Sequence, residues 1–312
     1  MSLERVLLTL FYSVWLLLVF LLQGVILYLL LRHSPKSFQT FRFLLAESAV
    51  FQLLALSCTY FTLLGLETDV QPIIVNSYGL CRFCAPKVCF TTYLFTLVCA
   101  CIWSTSIFST FYFKYISFVS VIISPSHIFK FILIGHSPAM ILFILELWMY
   151  YELSPTFPSV QHADISEFSQ VSLLPTTSKS YAATFFLMSI SSLVFPFICW
   201  YFRRRTLQEL NIRMTRISMT KRENHALFVT GLTIQIMVPI VVYPVAFAIF
   251  YYCTYQGGAK LPLPDLSSFL TVGIPALTDP IVSLYFVTPF RKVLKSWLSK
   301  TSSQVVPVSK TF

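Results

Sequence analysis

The sequence predicts an all-α membrane protein, a bundle of seven transmembrane helices, and two observations carry that prediction. Of the 312 residues, 56% are hydrophobic and only 11% are charged, whereas a soluble domain has about 25% charged residues. The apolar residues are also collected into runs of about 18 residues or more with few or no charges, which is the pattern of membrane-spanning helices.

Seven runs are long enough to cross the hydrocarbon core of a bilayer, which takes about 20 residues. The predicted spans are residues 6–31, 43–66, 88–113, 128–151, 180–202, 226–253 and 266–288. The first has no charged residue and no small-residue cleavage site, so we interpret it as a signal-anchor span and not as a signal peptide. The fourth is the weakest, because it contains Lys130, His136, Pro138 and Glu146.

The distribution of Lys and Arg predicts the orientation, since cytoplasmic loops are enriched in these residues. When alternate connections are assigned to one side, that side has 17 of the 22 Lys and Arg residues and the other side has five. Acidic residues lie mostly on the second side. The N-terminus is therefore predicted to be extracellular, and the basic side is predicted to be cytoplasmic.

The connections and the C-terminal segment have distinct patterns. The outer connection, residues 152–179, is rich in Ser, Thr and Pro and is predicted to be a loop. The inner connection, residues 203–225, alternates basic and apolar residues and is predicted to extend spans five and six as cytoplasmic helices. Residues 289–299 predict an amphipathic helix on the inner leaflet. Residues 1–299 are thus expected to form a single seven-transmembrane domain, followed by a flexible cytoplasmic tail at 300–312.

The sequence contains no recognisable motif for catalysis or for metal binding. The five His residues are scattered, and neither a Gly-rich phosphate loop nor a Gly-x-Ser-x-Gly motif is present. The basic residues lie between apolar runs, without the interleaved aromatics of a nucleic-acid groove. We therefore expect no enzymatic activity, no metal, no cofactor and no nucleic-acid partner; the expected surroundings are the lipid bilayer.

Three acidic residues lie inside the predicted spans, where any ionisable group is a functional candidate. Glu47 is close to the cytoplasmic boundary and is expected to reach the headgroups or to pair with Arg42. Glu146 is expected near the outer rim, in contact with water. Asp279 lies deeper and directly precedes Pro280. A structural polar contact and a role in a conformational switch are equally compatible with this position.

Three of the eight cysteines lie at or near the predicted outer face, where disulfides form. These are Cys81, Cys84 and Cys253, and a bridge from Cys81 or Cys84 to Cys253 is a candidate that sequence alone does not fix. The Cys81-x-x-Cys84 spacing is a weak signal of a zinc or redox site, because no second pair completes it. Cysteines inside the spans are expected to pack as small apolar side chains.

Several stretches carry a resemblance to a known receptor family. They are Arg32-His-Ser-Pro-Lys-Ser-Phe-Gln-Thr-Phe-Arg42, Tyr78-Gly-Leu-Cys-Arg-Phe-Cys-Ala-Pro-Lys-Val-Cys-Phe90, Gln235-Ile-Met-Val-Pro239 with Tyr243-Pro244, and Asp279-Pro-Ile-Val-Ser-Leu-Tyr-Phe-Val-Thr-Pro-Phe-Arg291. In this order they resemble nematode chemoreceptors, and in particular the serpentine receptor class delta (srd) family, over most of the chain. The arrangement of spans, basic third inner loop and terminal amphipathic helix is similar to that of G-protein-coupled receptors.

The resemblance implies a chemosensory receptor in the plasma membrane, in the cilia of sensory neurons. A small environmental or pheromone-like ligand would shift a two-state helix bundle and expose an inner crevice to a heterotrimeric G protein. Lys114 stands where such receptors have an arginine, which keeps the charge but loses the planar fork. Gln52 takes the place of the usual polar residue of the second span. The residues expected to face the G protein are Lys114, Tyr115, Arg203, Arg204, Arg205, Arg213 and Arg216.

We expect the ligand to bind between the outer halves of spans three, five, six and seven. The candidate lining residues are the aromatics Tyr93, Trp103, Tyr181, Phe185, Tyr251 and Tyr252. Such side chains suit a mostly apolar odorant, although ordinary helix packing also accounts for each of them.

The conformational switch is expected in the sixth and seventh spans. Pro239 and Pro244 are candidate kinks about which the sixth span swings, and Pro280 with Asp279 and Tyr285 is the candidate site of repacking in the seventh. Two alternatives stay open at the level of sequence. One is a small transporter or channel with Glu47, His136 and Asp279 as its polar pathway, and the other is an orphan receptor that couples weakly because of Lys114.

Overall fold

The computed structural model describes residues 3–32, 39–67, 73–119, 125–156, 169–174, 178–212, 219–255 and 269–303. Its helices, numbered here in chain order, are α1 Leu3–Arg32, α2 Gln39–Thr62, α3 Pro86–Val119, α4 Pro125–Gly135, α5 Ser137–Leu153, α6 Lys179–Ile212, α7 Met219–Tyr255, α8 Ile274–Phe286 and α9 Thr288–Ser303. A π-helical turn, Phe269–Gly273, leads into α8. Two short 3₁₀ turns, Leu80–Phe83 and Ser154–Thr156, flank the outer connections.

The number of membrane spans agrees with the prediction. In the described part of the chain, α1, α2, α3, α6 and α7 are each long and apolar enough to cross a bilayer. Two bent pairs of helices bring the number up to seven if each pair is one span: α4 meets α5 at 42°, and α8 meets α9 at 85°. The seven-helix architecture predicted from the uncharged runs is confirmed.

Prolines determine where several helices begin. Pro86 and Pro125 are the first residues of α3 and α4, and Pro138 and Pro275 lie in the first turns of α5 and α8. Proline is favoured there because the N–H that it lacks has no partner within the first turn. Pro138 therefore marks the break between α4 and α5, which explains why the fourth span was the weakest in sequence.

The outer end of α2 differs from the predicted boundary at residue 66. The helix ends at Thr62, and Leu63 adopts a left-handed backbone conformation with a φ of 35°. The freed carbonyl of Thr62 accepts hydrogen bonds from Ser77 Oγ at 2.6 Å and from the N–H of Gly79 at 3.3 Å. A Cβ at Gly79 would lie 2.3 Å from the Phe61 carbonyl oxygen, so this approach requires glycine.

A small antiparallel sheet at the outer end was not predicted. It consists of β1 Leu64–Glu67, β2 Ile73–Ser77 and β3 Ser169–Leu174, in the order β1-β2-β3. Ile73 pairs with Leu174, and the β2–β3 ladder has an irregularity between Val75 and Asn76. The expectation of a loop throughout residues 152–179 is therefore wrong for β3, because pairing with the distant β2 overrides its turn-rich composition.

The inner end follows the prediction in its main features. Helix α6 continues to Ile212 and α7 begins at Met219, so both spans extend past the membrane boundary as helices. Helix α9 is amphipathic, and it continues to Ser303, a few residues beyond the predicted end at residue 299. Its Phe290 is fully buried against the bundle core.

Candidate ligand cavity and the polar contacts beneath it

The outer half of the bundle encloses a cavity of about 240 Å³. Residues of α3, α6 and α7 form most of its wall, and α2, α5, β1 and the π-helical turn complete it. An engineered apolar cavity of about 150 Å³ is large enough to bind benzene. The space therefore suits one ring with a short substituent.

The predicted lining residues divide into two groups. Tyr93, Tyr181 and Phe185 line the cavity, and Tyr181 stacks on Phe185 at a ring separation of 6.4 Å. Trp103 does not: it is fully buried in the central apolar core, among helix-packing residues. Tyr252 is 52% exposed and is not part of the wall. The side chain of Tyr251 lies outside the described residues.

Several lining residues were not predicted from sequence. The polar ones carry hydroxyl groups, and the apolar ones are aliphatic side chains, aromatic rings and methionines. The most prominent are Ser104, Thr184, Met188, Ser191, Ser192, Phe195, Tyr243 and Phe247. The sequence signal that points to them is the spacing of Thr184, Met188, Ser191 and Phe195, which return to one face of α6 every three or four residues.

The sheet packs against the outer end of this cavity. Ile73, Val75 and Val171 of the strands form a buried cluster with Phe90 and Leu153 of the neighbouring helices. Met149, in the same cluster, also lines the cavity, as do its partly buried neighbours Tyr93, Leu64 and Tyr181. The strands thus pack on the residues that line the outer part of the site.

A disulfide anchors the start of α3 beneath the sheet. Cys81 is bonded to Cys89, and both are buried. The candidate bridge from Cys81 to Cys253 is therefore wrong, since Cys81 already has a partner one helical turn into α3. Cys84 is a free thiol on the exposed surface, and the side chain of Cys253 lies outside the described residues.

The first polar network joins four helices below the cavity. Gln52 of α2 donates to the Asp279 carboxylate of α8, and Gln23 of α1 donates to Gln52 and to the Ala276 carbonyl. Gln235 of α7 donates to the Asp279 carbonyl at 3.3 Å and to Ser283 Oγ at 3.2 Å. All of these side chains are buried. The second-span residue that stood out in sequence, Gln52, thus contacts Asp279 directly.

The second network joins α2, α3 and the break in the fourth span. His136, at the junction of α4 and α5, lies 3.1 Å from the Glu47 carboxylate, and Ser106 Oγ donates to the other Glu47 oxygen at 3.2 Å. The expectation that Glu47 pairs with Arg42 or reaches the headgroups is therefore wrong. His136 also contacts the Ile132 carbonyl at 2.8 Å, which ties the ring to α4.

Among the candidate switch residues, the prolines occupy different environments. Pro239 lines the cavity, whereas Pro244 is exposed on the outside of the same helix, and α7 is continuous through both. Pro280 is buried next to Asp279 within α8. Tyr285 is 60% exposed, and its ring contacts Phe286 edge-on at 4.8 Å.

Lys114 lies inside the inner end of the bundle and not on its surface. Its side chain is only 5% exposed, and Nζ lies 4.8 Å from the centre of the Phe228 ring and 5.4 Å from that of Phe41. These two rings are themselves in edge-to-face contact at 5.6 Å. In this conformation Lys114 is enclosed by α2 and α7, so it does not face a partner directly.

The other residues expected to face a G protein are distributed along α3 and α6. Tyr115 is half-buried, 5.9 Å from the Phe202 ring. Arg203 donates to Thr233 Oγ1 of α7 at 2.9 Å, and Arg205 donates to the Tyr201 hydroxyl at 3.3 Å. Arg204 is exposed, and Arg213 and Arg216 lie outside the described residues.

Within the described ranges no group of three or more His, Cys, Asp or Glu side chains is arranged to bind a metal ion.

The chain is similar to known proteins along nearly its whole length. A sequence profile described as "Serpentine type 7TM GPCR chemoreceptor Srd" matches residues 8–296. The chain is 30% identical to serpentine receptor class delta-40 of Caenorhabditis elegans over 313 aligned residues, which cover 98% of this chain and 97% of that protein. It is 24% identical to serpentine receptor class delta-45 and 26% identical to class delta-44 of the same organism, with at least 90% of every chain covered.

Proposed function

Because the chain belongs to the Srd family of serpentine seven-transmembrane chemoreceptors, we propose that it detects a small, mostly apolar ligand in the outer cavity. The observation that carries this proposal is the cavity itself. It lies between α3, α6 and α7, and its wall includes the aromatic residues Tyr93, Tyr181 and Phe185. Concave, largely apolar sites with a few hydroxyl groups are typical of small-molecule binding.

We propose that ligand binding reaches the inner end through α7 and α8. Pro239 is part of the cavity wall, and Gln235, one turn further in, is bonded to Asp279 and Ser283 of α8. A ligand that displaces α7 outward therefore acts on the buried network and on the contact between Phe228 and Lys114. Release of Lys114, together with Arg203, Arg204 and Arg205, would present a basic surface to a heterotrimeric G protein.

The expected location is the plasma membrane, in the cilia of sensory neurons, where an environmental or pheromone-like molecule reaches the outer end. The multi-pass membrane character follows from the spans and the family. The ciliary location is part of the proposal and would be examined with a fluorescent fusion at the C-terminus.

Calcium imaging with an odorant panel tests the proposal in cells that express the receptor and a promiscuous G protein. We expect a response to a small apolar compound, and loss of that response in the cavity-filling variants Ala100→Leu and Ser192→Leu, whose side chains would enter the cavity. The matched control is Leu193→Phe, on the lipid-facing side of α6, where Leu193 is 58% exposed. A response that persists in cells without any G protein contradicts the receptor mechanism.

A small transporter or channel is the alternative, and the contact of Glu47 with His136 and Ser106 inside the membrane is the observation that favours it. Asp279, the third member of the expected polar pathway, is bonded instead to Gln52 in the other network. Uptake of the active compound into vesicles that contain the purified protein would support transport. An orphan receptor with weak coupling would give ligand-dependent unfolding shifts without a calcium response.

A further inference from the structure

Glu146 of α5 is a buried carboxyl group whose role is unexplained by the packing around it. Its side chain is 2% exposed, and Oε1 accepts no hydrogen bond from the described residues. Sequence alone had suggested a wet position near the outer rim, which is wrong. A carboxylate without a partner in a low-dielectric interior is unfavourable by several kcal/mol. A carboxyl group that stays unpaired in a native fold is therefore a candidate binding group.

The cavity lies immediately beside this carboxyl group. Tyr93 and Cys101 of α3 line the cavity, and both belong to buried clusters that include residues of α5 on either side of Glu146, Met149 and Leu142. Met149, which lies on the same buried face of α5 as Glu146, also lines the cavity. Glu146 therefore lies between the contacts that Tyr93 and Cys101 make with α5, next to this part of the cavity wall.

A second polar atom without a partner lies on the neighbouring helix. Thr184 of α6 lines the cavity and is 5% exposed, yet its hydroxyl oxygen has no hydrogen-bond partner among the described residues. Buried polar atoms in folded proteins are nearly always hydrogen-bonded. These two oxygens without a partner, the Thr184 hydroxyl in the wall and the Glu146 carboxyl next to it, suit a ligand that brings hydrogen-bond donors.

We propose that the ligand of this cavity is a small apolar amine, and that Glu146 is the residue that recognises its ammonium group. This inference rests on the proposed ligand-binding function of the cavity. The ammonium supplies both a positive charge for the carboxylate and donors for the Thr184 and Tyr93 oxygens, while the rings of Phe185 and Phe247 cover the apolar part. Charge-assisted hydrogen bonds of this kind are about twice as strong as neutral ones.

Three probes that share a phenylethyl group separate the charge from the apolar part: 2-phenylethylamine, 2-phenylethanol and ethylbenzene. Each is titrated against purified full-length receptor in nanodiscs, and binding is followed by the increase in thermal unfolding temperature. We expect 2-phenylethylamine to bind about tenfold or more tightly than the other two, as one charged hydrogen bond implies. In Glu146→Gln that preference should disappear, while the binding of ethylbenzene is unchanged.

Two further variants keep the test decisive. Glu146→Asp keeps the charge on a side chain that is one methylene shorter, and it should retain part of the amine preference. This variant provides the test if Glu146→Gln does not fold. Glu223→Gln removes an exposed carboxylate at the inner end of α7 and should bind all three probes as the wild type does.

The outcomes distinguish this proposal from the one on which it rests. Equal binding of the three probes, or an amine preference that survives in Glu146→Gln, overturns the role of Glu146 but leaves the cavity as a ligand site. If no probe stabilises the wild type, or if Ser192→Leu binds each probe as well as the wild type does, the cavity itself is not the ligand site and both proposals fall.

Discussion

At the inner end of the bundle, Lys114 shows how one side chain holds three helices in contact. Its ammonium group lies against the rings of Phe41 on α2 and Phe228 on α7, inside a site with little solvent. A cation over an aromatic ring contributes about 0.5–1 kcal/mol at an exposed site and about 2 kcal/mol when desolvated. The contact therefore stabilises the conformation in which α7 is closed against α3.

We expect Phe228→Leu to raise signalling in the absence of ligand. The leucine keeps the apolar bulk but removes the ring beside Lys114 Nζ and the edge contact with Phe41. Weakening the closed state by about 1 kcal/mol raises the ratio of open to closed receptors about fivefold. The measurement is basal G-protein activation in membranes, normalised to receptor amount.

The control for this prediction is Phe197→Leu, which removes a ring from the lipid-facing surface of α6, where Phe197 is 75% exposed. It should leave basal activation at the wild-type level. A basal activity of Phe228→Leu at or below that of Phe197→Leu would show that the aromatic contact does not hold the receptor closed.

Single residues of the site were predictable only in part. Tyr93, Tyr181 and Phe185, which were chosen by their depth in the spans, line the cavity, whereas Trp103 packs in the core. The polar residues of α3 are spread around the helix and gave no sign of this difference. A helix without a polar face gives no periodic signal for which side meets a cavity. For the same reason, the sequence did not predict the burial of Glu146 on α5.

At the scale of elements, the contact between α7 and α8 depends on the absence of a side chain at Gly231. A Cβ at this position would lie 2.6 Å from Cβ of Phe286 on α8. Two helices approach this closely only where one of them presents a small residue. The same pair of helices carries the bonds from Gln235 to Asp279 and Ser283, so their separation determines whether that network forms.

We expect Gly231→Ala to lower the unfolding temperature of the purified receptor by several degrees, because the methyl group forces α7 away from Phe286 and strains the network beneath the cavity. The matched control is Gly24→Ala on α1, since nothing lies within 4 Å of a Cβ there. Alanine also favours a helix over glycine by about 1 kcal/mol. Gly24→Ala should therefore be neutral or slightly stabilising, and a Gly231→Ala protein as stable as Gly24→Ala would contradict the close packing.

The helices were predictable from the sequence and the strands were not, because a helix forms its backbone hydrogen bonds within one segment and a strand forms them with another. A membrane helix satisfies its backbone hydrogen bonds internally, so a long uncharged run is sufficient to identify it. The ladder between β2 and β3 joins segments that are far apart in the chain, such as Ile73 and Leu174. Each strand has four to six residues, and nothing within either short segment specifies its distant partner.

At the scale of the whole molecule, the orientation connects the cavity to its proposed role. The sheet, the disulfide and the cavity share one end of the bundle, and α9 and Lys114 lie at the other. Of the 17 Lys and Arg residues of the predicted cytoplasmic side, those of α6 and α9 whose side chains the structure describes lie at the end with α9. This arrangement gives the cavity access to external molecules only if the N-terminus is outside.

Labelling of cysteines in intact cells tests that orientation. Cys84 is an exposed free thiol next to the outer disulfide, and Ser296 is an exposed residue of α9 at the opposite end. A membrane-impermeant maleimide should label the wild-type protein through Cys84 and should label Cys84→Ser much less. Ser296→Cys, introduced into the Cys84→Ser protein, should react only after the cells are permeabilised. Because the reagent reaches only one side of the bilayer, the opposite result would reverse the orientation and place the cavity on the cytoplasmic side. That result is reaction of the Ser296→Cys protein in intact cells, together with no reaction of Cys84 in the wild-type protein.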